Sequence, residues 1–456
     1  MLIENIFLFL RHYPLQFFEL ILWLFKGKAF FKRSLADSIL PNVHALPYNK
    51  PLIHWLEQQR SAGYHLVLAT ASDLRIARKV NDHLHLFADV FGTEDKNLSS
   101  RNKRKALVDH YGEKGFEYVG NSSADFAVWQ SAALVHVVNP EWGVLATARN
   151  LGQIGQVFDA RPAYWPTLLK SMRLHQWAKN MLIFVPLLSS HRVFELPLLL
   201  SGLLAFIAFG ACASSVYLLN DLLDLPDDRQ HPTKRHRPLA AGTLPLLHAL
   251  YLIPFLLLGS FLVALLWLPL AFSGVLAGYY LLTLAYSLWL KRMAMVDVVT
   301  LAMLYTLRVV AGIAAMTLVT TFWILTFCIF IFLSLALLKR YTELREARQM
   351  DKQEKTSGRG YYPADFELLA SLGGSSGYIS VLVFALYINE ATSLTLYRSP
   401  QWLWAACPLL LFWISRTWLL AHRGQMHDDP IVFALRDAVS RWTGLIFLLV
   451  FTLATY

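Results

Sequence analysis

Residues 220–238 carry the sequence NDLLDLPDDRQHPTKRHRP, which places carboxylates and cations directly after a long apolar segment. That segment, from about residue 196 to 219, has no charged side chain. It is long enough to cross a bilayer as a helix of about 20 residues. The polar stretch therefore lies at the mouth of a predicted transmembrane helix, where charges usually serve chemistry.

Three aspartates in this stretch, Asp221, Asp224 and Asp228, are spaced by three and four residues. If the helix continues past Asn220, the three side chains share one helical face and can converge on a cation. Carboxylates without thiolates or paired imidazoles suit a hard ion that keeps water ligands. The spacing therefore predicts a Mg²⁺ site.

Four cations follow the aspartates: Arg229, Lys234, Arg235 and Arg237. Guanidinium forks and ammonium groups are the usual partners of phosphate oxygens. The combined pattern predicts a site for a metal-bound diphosphate. The competing interpretation is a helix stop followed by a topology signal, but three carboxylates in helical register and four cations exceed what those need.

The composition indicates a polytopic membrane protein, since 56% of the 456 residues are hydrophobic, 16% are charged and the mean hydropathy is +0.42. The net charge of +10 comes from cations in short loops between apolar segments. Membrane topology and an anionic substrate explain it better than nucleic acid does. The cysteines Cys212, Cys328 and Cys407 lie in apolar segments, so neither a disulfide framework nor a thiolate metal site is expected.

Residues 1–160 are predicted to form a separate, cytoplasmic α/β domain. Short apolar runs alternate there with helix-like stretches, a pattern typical of parallel strands in a doubly wound sheet. The runs cover residues 64–70, 116–120 and 134–139. Thr70, Asn121 and Asp125 follow the strand ends, where such sheets bind ligands.

Over about residues 1–140 these features resemble the haloacid-dehalogenase-like phosphatases. Thr70 matches the second motif of that family, Lys103 or Lys105 the third, and residues 120–125, with Asn121 and Asp125, the fourth. Two departures stand out. No Asp-x-Asp sequence precedes Leu66, and Asn121 replaces an acid of the fourth motif.

Without the carboxylate nucleophile, covalent phosphoryl transfer has no starting point. We therefore expect no phosphatase activity from this domain, which would be a regulatory or structural relic. The alternative is that the native start lies upstream of Met1 and supplies the missing motif.

Residues 161–456 are predicted to form a second domain with nine transmembrane helices. The predicted spans are 178–190, 197–223, 244–267, 269–289, 295–316, 319–338, 367–389, 401–421 and 438–455. The loops after the even-numbered spans carry most cations: Arg229, Lys234, Arg235, Arg237, Lys291, Arg292, Lys339, Arg340, Arg345, Arg348, Lys352, Lys355, Arg359, Arg423 and Arg436.

By the positive-inside rule, these loops and the N-terminal domain face the cytoplasm of a bacterial-type inner membrane, and the C-terminus lies outside. A count of eight spans would place loops of like charge on opposite faces.

Further polar residues are expected on the same face. Lys179 and Asn180 lie at the start of the first span, where an interfacial anchor is the alternative role. Intramembrane charges such as Asp297 and Arg308 are costly and usually functional, although the two could instead pair with each other. The remaining candidates near span ends are Tyr286, Lys291, Lys339, Arg340 and Tyr341.

The C-terminal domain resembles the UbiA-type intramembrane prenyltransferase superfamily. The resemblance rests on the motif Asn220-Asp221-x-x-Asp224-x-x-x-Asp228, and it implies a nine-helix bundle. Within the superfamily, four segments are similar to the decaprenyl-phosphate phosphoribosyltransferases: residues 176–180, 231–238, 339–344 and 434–437.

One departure from the commoner prenyltransferases concerns the donor. Those enzymes have a second aspartate-rich motif after the sixth span, whereas here Glu343, Glu346 and Asp351 are scattered among seven cations. A cation-rich pocket suits a donor with more phosphates than a prenyl diphosphate, because like charges held together need many counterions.

The resemblance therefore implies Mg²⁺-dependent transfer of 5-phosphoribose from phosphoribosyl diphosphate to a polyprenyl phosphate. Asp221, Asp224 and Asp228 would hold the metal, and Lys234, Arg237, Lys179 and Lys291 would neutralise phosphates. The first alternative is a prenyltransferase that uses a prenyl diphosphate and an aromatic or other small acceptor. The second is a transporter or lipid-binding regulator, and the oligomeric state is left open.

Overall fold

The computed structural model describes residues 2–319, 321–349, 360–390, 397–426 and 429–455. The charged residues Asp351, Lys352, Lys355 and Arg359, named above for the loop after the sixth span, lie outside these ranges. The chain divides into two compact units. The first contains Met1–Met172 and Leu218–Tyr251, and the second contains Arg173–Tyr217 and Leu252–Tyr456.

The first unit contains short helices and short strands. Local signals set their ends: the Asn49 side chain accepts the Leu52 amide at the start of the fourth helix, and Pro51 occupies its first turn. The helices are α1 Leu2–His12, α2 Phe17–Phe25, α3 Lys28–Ser38, α4 Lys50–Ser61, α5 Leu74–Leu84, α6 Arg101–Tyr111, α7 Phe126–Trp129, α8 Val144–Leu151 and α9 Tyr164–Ser171. The strands are β1 Val67–Asp73, β2 Asp89–Thr93, β3 Tyr118–Gly120, β4 Val135–Val138 and β5 Ile154–Phe158.

The three predicted strands are present as β1, β3 and β4, and every strand pair in the described residues is parallel. The prediction of a single sheet is wrong, however. Within the described chain β1 pairs only with β2, and β3, β4 and β5 form a second sheet. Segments of β1 and β3 line one cavity of about 620 Å³. No strand pairs with both β1 and β3, so the two sheets stay separate.

The first unit packs around two apolar clusters. Trp129 and Val135 are fully buried against Leu107 beside the three-stranded sheet. Helices α1, α2 and α3 bury Phe9 and Leu35 in a cluster of their own. The N-terminal helices are therefore a packed part of this unit.

The rest of the chain contains eight long α-helices and three short ones among the described residues. These are α10 Val185–Ser189, α11 Leu196–Leu223, α12 Leu225–Gln230, α13 Leu246–Trp267, α14 Leu270–Leu288, α15 Val296–Met316, α16 Phe322–Gln349, α17 Phe366–Ile388, α18 Ala406–His422, α19 Pro430–Arg436 and α20 Ala438–Thr455. Eight helices among the described residues are long and apolar enough to cross a membrane: α11, α13, α14, α15, α16, α17, α18 with its preceding turn Pro400–Ala405, and α20. The chain is a multi-pass membrane protein.

The predicted count of nine spans is not confirmed. The segment predicted as the first span, 178–190, lies in a 3₁₀ helix, Leu174–Phe184, followed by the five-residue α10. Pro186 stands in the first turn of α10 and has no N–H to continue an α-helix from the preceding turn. This segment is therefore not one of the eight long helices.

The second unit brings backbones into close contact where small residues allow it. Gly312 of α15 faces the 3₁₀ helix, and a Cβ atom built on it would lie 2.0 Å from the carbonyl oxygen of Ile183. Because that neighbour is backbone, it cannot turn aside as a side chain would. The glycine therefore holds α15 against the segment that carries Lys179 and Asn180.

We expect Gly312→Ala to destabilise the protein by about 1–3 kcal/mol, because the added methyl group overpacks a backbone contact. Gly274→Ala in α14 is the matched control, since a Cβ there meets no atom within 4 Å and alanine favours a helix interior. Thermal unfolding in detergent measures both variants. A Gly312→Ala protein that melts like the wild type would show that the close approach is absent.

Candidate active site

Residues 220–238, here called the acidic segment, do not form one continuous helix. Helix α11 ends at Leu223, and α12 begins after Asp224, because Pro226 cannot donate a hydrogen bond to the preceding turn. The amide of Asp224 still bonds to the Asn220 carbonyl at 2.8 Å, and that of Asp228 to the Asp224 carbonyl at 2.9 Å. The predicted helical spacing is thus largely kept across the break.

Arg237 joins two of the three predicted metal ligands. Its Nη1 donates to Asp221 Oδ1 at 3.1 Å and to Asp228 Oδ2 at 2.6 Å. Both carboxylates are buried, with 3% and 2% of each residue exposed. Burial raises the pKa of Asp228, although Arg237 and Lys234 oppose the shift. Asn220 and Asp224 are half-buried, whereas Lys234 is exposed.

The pair fits a hard cation. Two buried carboxylates close enough to share one nitrogen can hold Mg²⁺, which usually takes one or two carboxylates, several waters and substrate phosphates. Within the described residues, no three His, Cys, Asp or Glu side chains are already gathered as a metal site. The structure therefore assembles the Asp221 and Asp228 pair, but not the predicted triad with Asp224.

A second group of charges lies in the second unit and comprises Lys179, Lys339 and Arg308, here called the cation cluster. Lys179 Nζ and Lys339 Nζ donate to the same oxygen, Asp429 Oδ2, at 2.9 and 3.0 Å. The hydroxyl of Tyr305 lies 3.4 Å from that oxygen. The Tyr305 ring also contacts Lys179 Nζ at 5.7 Å and the Arg308 guanidinium at 5.6 Å.

Arg308 is buried in α15 among uncharged partners. Its Nε donates to Asn180 Oδ1 at 3.0 Å, and its Nη2 donates to the Tyr279 hydroxyl at 3.2 Å. Its Nη1 donates to the Leu304 carbonyl. The Nδ2 of Asn180, a residue 1% exposed, has no hydrogen-bond partner in the described structure. The side-chain N–H donors of Asn180 therefore lie buried beside Arg308 without an acceptor among the described residues.

The cation cluster carries more positive than negative charge. In the part of the chain that the structure describes, Asp429 is the one carboxylate within ion-pair distance of Lys179 and Lys339, and the side-chain bonds of Arg308 go to neutral groups. Burial alone would raise the pKa of Asp429, but Lys339 and Lys179 outweigh burial and hold that pKa well below its usual range. Since buried unpaired cations are costly, the cluster is suited to a further anion.

Asp297 and Arg340 form a different, self-contained pair. Arg340 Nε donates to Asp297 Oδ2 at 2.5 Å, and both residues are at most 1% exposed. Arg340 also donates to Tyr286 and Glu343, and the Tyr361 hydroxyl donates to Asp297. The alternative that Asp297 pairs with Arg308 is wrong, because eleven residues of helix separate them by about 16 Å.

Two other predicted site residues, Tyr341 and Lys291, are not among the hydrogen-bond partners given above for the cation cluster. The Tyr341 hydroxyl shares a hydrogen bond with His422 Nδ1 at 2.8 Å, and its ring stacks on Phe366 at 4.2 Å. Lys291 is half-buried in the 3₁₀ turn Leu290–Arg292.

Of the residues matched above to phosphatase motifs, Lys103, Asn121 and Asp125 form a local group in the first unit. Lys103 Nζ lies 2.8 Å from the Tyr118 hydroxyl and 3.5 Å from Asp125 Oδ1. The backbone N–H of Asn121 donates to Asp125 Oδ2 at 3.0 Å. Burial, assisted by Asp125, raises the pKa of Tyr118. Thr70 lies in β1, where its hydroxyl accepts the Ser72 amide.

An apolar cavity of about 390 Å³ lies in the second unit. Its wall includes Cys328 and Trp323 of α16, the helix that carries Lys339. Cys328 is eleven residues from Lys339, which is about 16 Å along a helix. The same helix therefore presents a cation at one level and an apolar cavity at another.

Sequence reasoning missed Asp429 and Tyr305. Asp429 precedes Pro430, and its side chain caps α19 by accepting the Ile431 amide, which is a recognisable helix-start signal. Its lysine partners lie 250 and 90 residues away in sequence, so no local pattern could reveal them. Tyr305 is one of many aromatic residues in an apolar helix.

Comparison with known proteins adds three findings. The UbiA prenyltransferase family profile matches residues 181–454. An uncharacterised Sinorhizobium fredii protein, y4nM, is 36% identical over 99% of this chain and 87% of its own length. The decaprenyl-phosphate phosphoribosyltransferase of Mycolicibacterium smegmatis is 29% identical over 61% of this chain and 91% of its own length.

Among solved structures, a UbiA homolog from Archaeoglobus fulgidus bound to DMAPP and Mg²⁺ is similar with a TM-score of 0.47 and 16% identity. The match covers 63% of this chain and 97% of that one.

We expect Asp429→Asn to lower the unfolding free energy by about 3 kcal/mol, because it leaves two lysines without their shared carboxylate. The folded-state pKa of Asp429 is depressed below its ordinary 3.8, so its contribution is complete above that value and is lost as the pH falls through the folded-state pKa.

Unfolding in detergent measured from pH 8 to pH 3 checks both points. The difference in unfolding free energy between variant and wild type should be constant from pH 8 to 5 and should decrease only toward pH 3. A difference that disappears between pH 7 and 5 would contradict the assignment.

Proposed function

Because the chain belongs to the UbiA prenyltransferase family, which makes it a membrane-embedded enzyme of the transferase class, we propose that it transfers 5-phosphoribose from phosphoribosyl diphosphate to a polyprenyl phosphate. The similarity to a decaprenyl-phosphate phosphoribosyltransferase over 91% of that enzyme's length supports this choice.

The observation that carries the proposal is the cation cluster. Lys179, Lys339 and Arg308 are matched by one described carboxylate, Asp429, so the protein favours an added anion. The apolar cavity on the same helix α16 supports an anion that bears a long hydrocarbon chain. A polyprenyl phosphate has both features, with its phosphate at the cluster and its chain in the cavity.

The acidic segment suits the donor. We assign Asp221 and Asp228, with Asp224 nearby, to hold Mg²⁺, and Lys234 and Arg237 to neutralise the donor's phosphates. Lys291 is assigned to the same role. When bound, the metal would supply positive charge to the departing diphosphate. The arginine that now joins Asp221 to Asp228 is then available to a phosphate oxygen.

The reaction forms one bond and breaks one. An oxygen of the lipid phosphate attacks C1 of the ribose, the bond from C1 to the diphosphate breaks, and the diphosphate leaves with its electron pair. The nucleophile is already anionic, so no strong general base is required. Lys179, Lys339 and Arg308 would orient it and offset its negative charge.

A prenyltransferase that uses a prenyl diphosphate and a small acceptor is the second candidate. The family's description favours it, and the apolar cavity would suit a prenyl chain. The two candidates differ in which substrate carries the diphosphate.

We also propose a domain division at residues 160 and 161. The N-terminal domain would be haloacid-dehalogenase-like and without phosphatase activity. Its Lys103 is bonded to Asp125 and Tyr118, and Asp125 is the one carboxylate within ion-pair distance of Lys103 in the described chain. The carboxylate nucleophile that covalent transfer needs is therefore not assembled beside this lysine.

The proposed location is a bacterial inner membrane with the basic loops and the N-terminal domain in the cytoplasm. The predicted first span, residues 178–190, would supply the ninth crossing, and it lies in the 3₁₀ helix Leu174–Phe184 and the following helix α10.

Donor competition tests the proposal. With Mg²⁺ and a polyprenyl phosphate, we expect radiolabel to pass from phosphoribosyl diphosphate to the lipid, and no transfer from a prenyl diphosphate to an aromatic acceptor. Asp221→Asn should reduce transfer by about 100-fold or more. Asp109→Asn, an exposed acid of α6, is the control and should leave it unchanged.

Transfer from the prenyl donor alone would establish the second candidate. Full transfer by Asp221→Asn would show that the metal assignment is wrong.

A further inference from the structure

We propose that helix α1 positions the acidic helix α12, with Glu4 and Arg11 as the positioning residues, so that the N-terminal region is part of the working metal site. The inference rests on the proposed function, because it assumes that Asp221, Asp224 and Asp228 serve the metal. It adds residues that lie outside the family match, which begins at residue 181.

Helix α12 needs outside support. It has only six residues, Leu225–Gln230, and it follows the break at Asp224. A helix this short is unstable in isolation, so its orientation depends on what packs against it. The supporting contacts come from the same compact unit, which contains both Leu218–Tyr251 and Met1–Met172.

The first contact is a buried ion pair between Glu4 and Arg229. Arg229 Nη1 donates to Glu4 Oε1, and each side chain is 7% exposed. Arg229 Nε also donates to the Ala240 carbonyl at 3.3 Å. Arg229 directly follows Asp228 in sequence, and these bonds hold its guanidinium on Glu4. The pair therefore fixes α12 and keeps this cation occupied.

The second contact is an ion pair between Arg11 and Asp227. Arg11 Nη2 lies 2.6 Å from Asp227 Oδ2. Burial acts to lower the pKa of Arg11, but Asp227, Asp224 and Asp228 together raise it. The charge of Arg11 therefore acts on two of the proposed metal ligands as well as on its direct partner.

Two further places of close approach add to this support. Glu4, Leu8 and His12 of α1 line a small cavity together with Pro226 and Arg229 of α12. Farther along the acidic segment, Gly242 has a φ of +69°, and a Cβ there would lie 2.9 Å from the Pro47 ring. The N-terminal region thus contacts the segment at α12 and again after Arg237.

Loss of Glu4 has a definite consequence. Arg229 would be left buried without its carboxylate, and the nearest acids in sequence are Asp227 and Asp228. An arginine that turns to Asp228 competes with the metal. Loss of a group that orients a metal ligand typically weakens metal binding by 10–100-fold, and Glu4 would act in this way through Arg229 and α12.

Direct measurement of metal binding provides the test. Mn²⁺ replaces Mg²⁺ as an electron paramagnetic resonance probe, titrated into the purified full chain with inorganic diphosphate present. We expect Glu4→Gln to raise the Mn²⁺ dissociation constant by about 10–100-fold and to increase hydrogen exchange in residues 225–237. The KM for the polyprenyl phosphate should not change.

Three further variants sharpen the test. Arg11→Gln involves a partly exposed pair, so it should fold and still raise the dissociation constant by several-fold. Glu4→Gln combined with Arg229→Gln should recover only part of the lost affinity: no unpaired cation remains to compete for Asp228, but the ion pair that supports α12 is still missing. Asp95→Asn removes an exposed acid that pairs with Arg33 elsewhere in the unit, and it should behave as wild type.

Asp221→Asn distinguishes failure of the proposed metal site from failure of the positioning role of α1. If it leaves Mn²⁺ affinity unchanged, the proposed metal site itself is wrong. If it weakens Mn²⁺ binding while Glu4→Gln and Arg11→Gln do not, the metal site holds and the positioning role of α1 is wrong. Failure of the double variant to recover affinity would also overturn the competition by Arg229.

Discussion

Burial of charge inside an apolar bundle is the constraint on which this protein depends. A buried ion is tolerated when partners neutralise it and satisfy its hydrogen bonds. Asp297 and Arg340 meet that condition: they pair with each other and with Tyr361, Tyr286 and Glu343. Such a network fixes α15 against α16 and needs no ligand.

The cation cluster does not meet the same condition. Lys179 and Lys339 share a single oxygen of Asp429, and the bonds of Arg308 go to neutral groups. The two groups of charge in this unit therefore differ. The first is already neutralised by its own side chains, and the second is the candidate for an anionic substrate. The acidic segment presents the opposite case, with two buried carboxylates on one guanidinium nitrogen.

The sequence predicted what depends on local pattern. Long apolar runs located eight of the nine proposed spans to within a few residues at most boundaries, and alternating runs located three parallel strands. It could not predict that Pro186 would leave the first span as a 3₁₀ helix and a short α-helix, or that β1 and β3 would belong to separate sheets. The pairing of Asp297 with Arg340 and the role of Asp429 depend on contacts between distant helices. Composition and spacing carry no record of those contacts.

The central claim is that the surplus positive charge of the cation cluster binds a lipid phosphate. Native mass spectrometry of the full chain with a polyprenyl phosphate and the matching polyprenol, in wild type and in Arg308→Gln, tests it most directly. We expect the wild type to bind the phosphate at least about tenfold more tightly than the alcohol, a difference of about 1.4 kcal/mol. In the variant the preference for the phosphate should be smaller but not abolished, because Lys179 and Lys339 remain. Equal affinity of the wild type for phosphate and alcohol would contradict the claim.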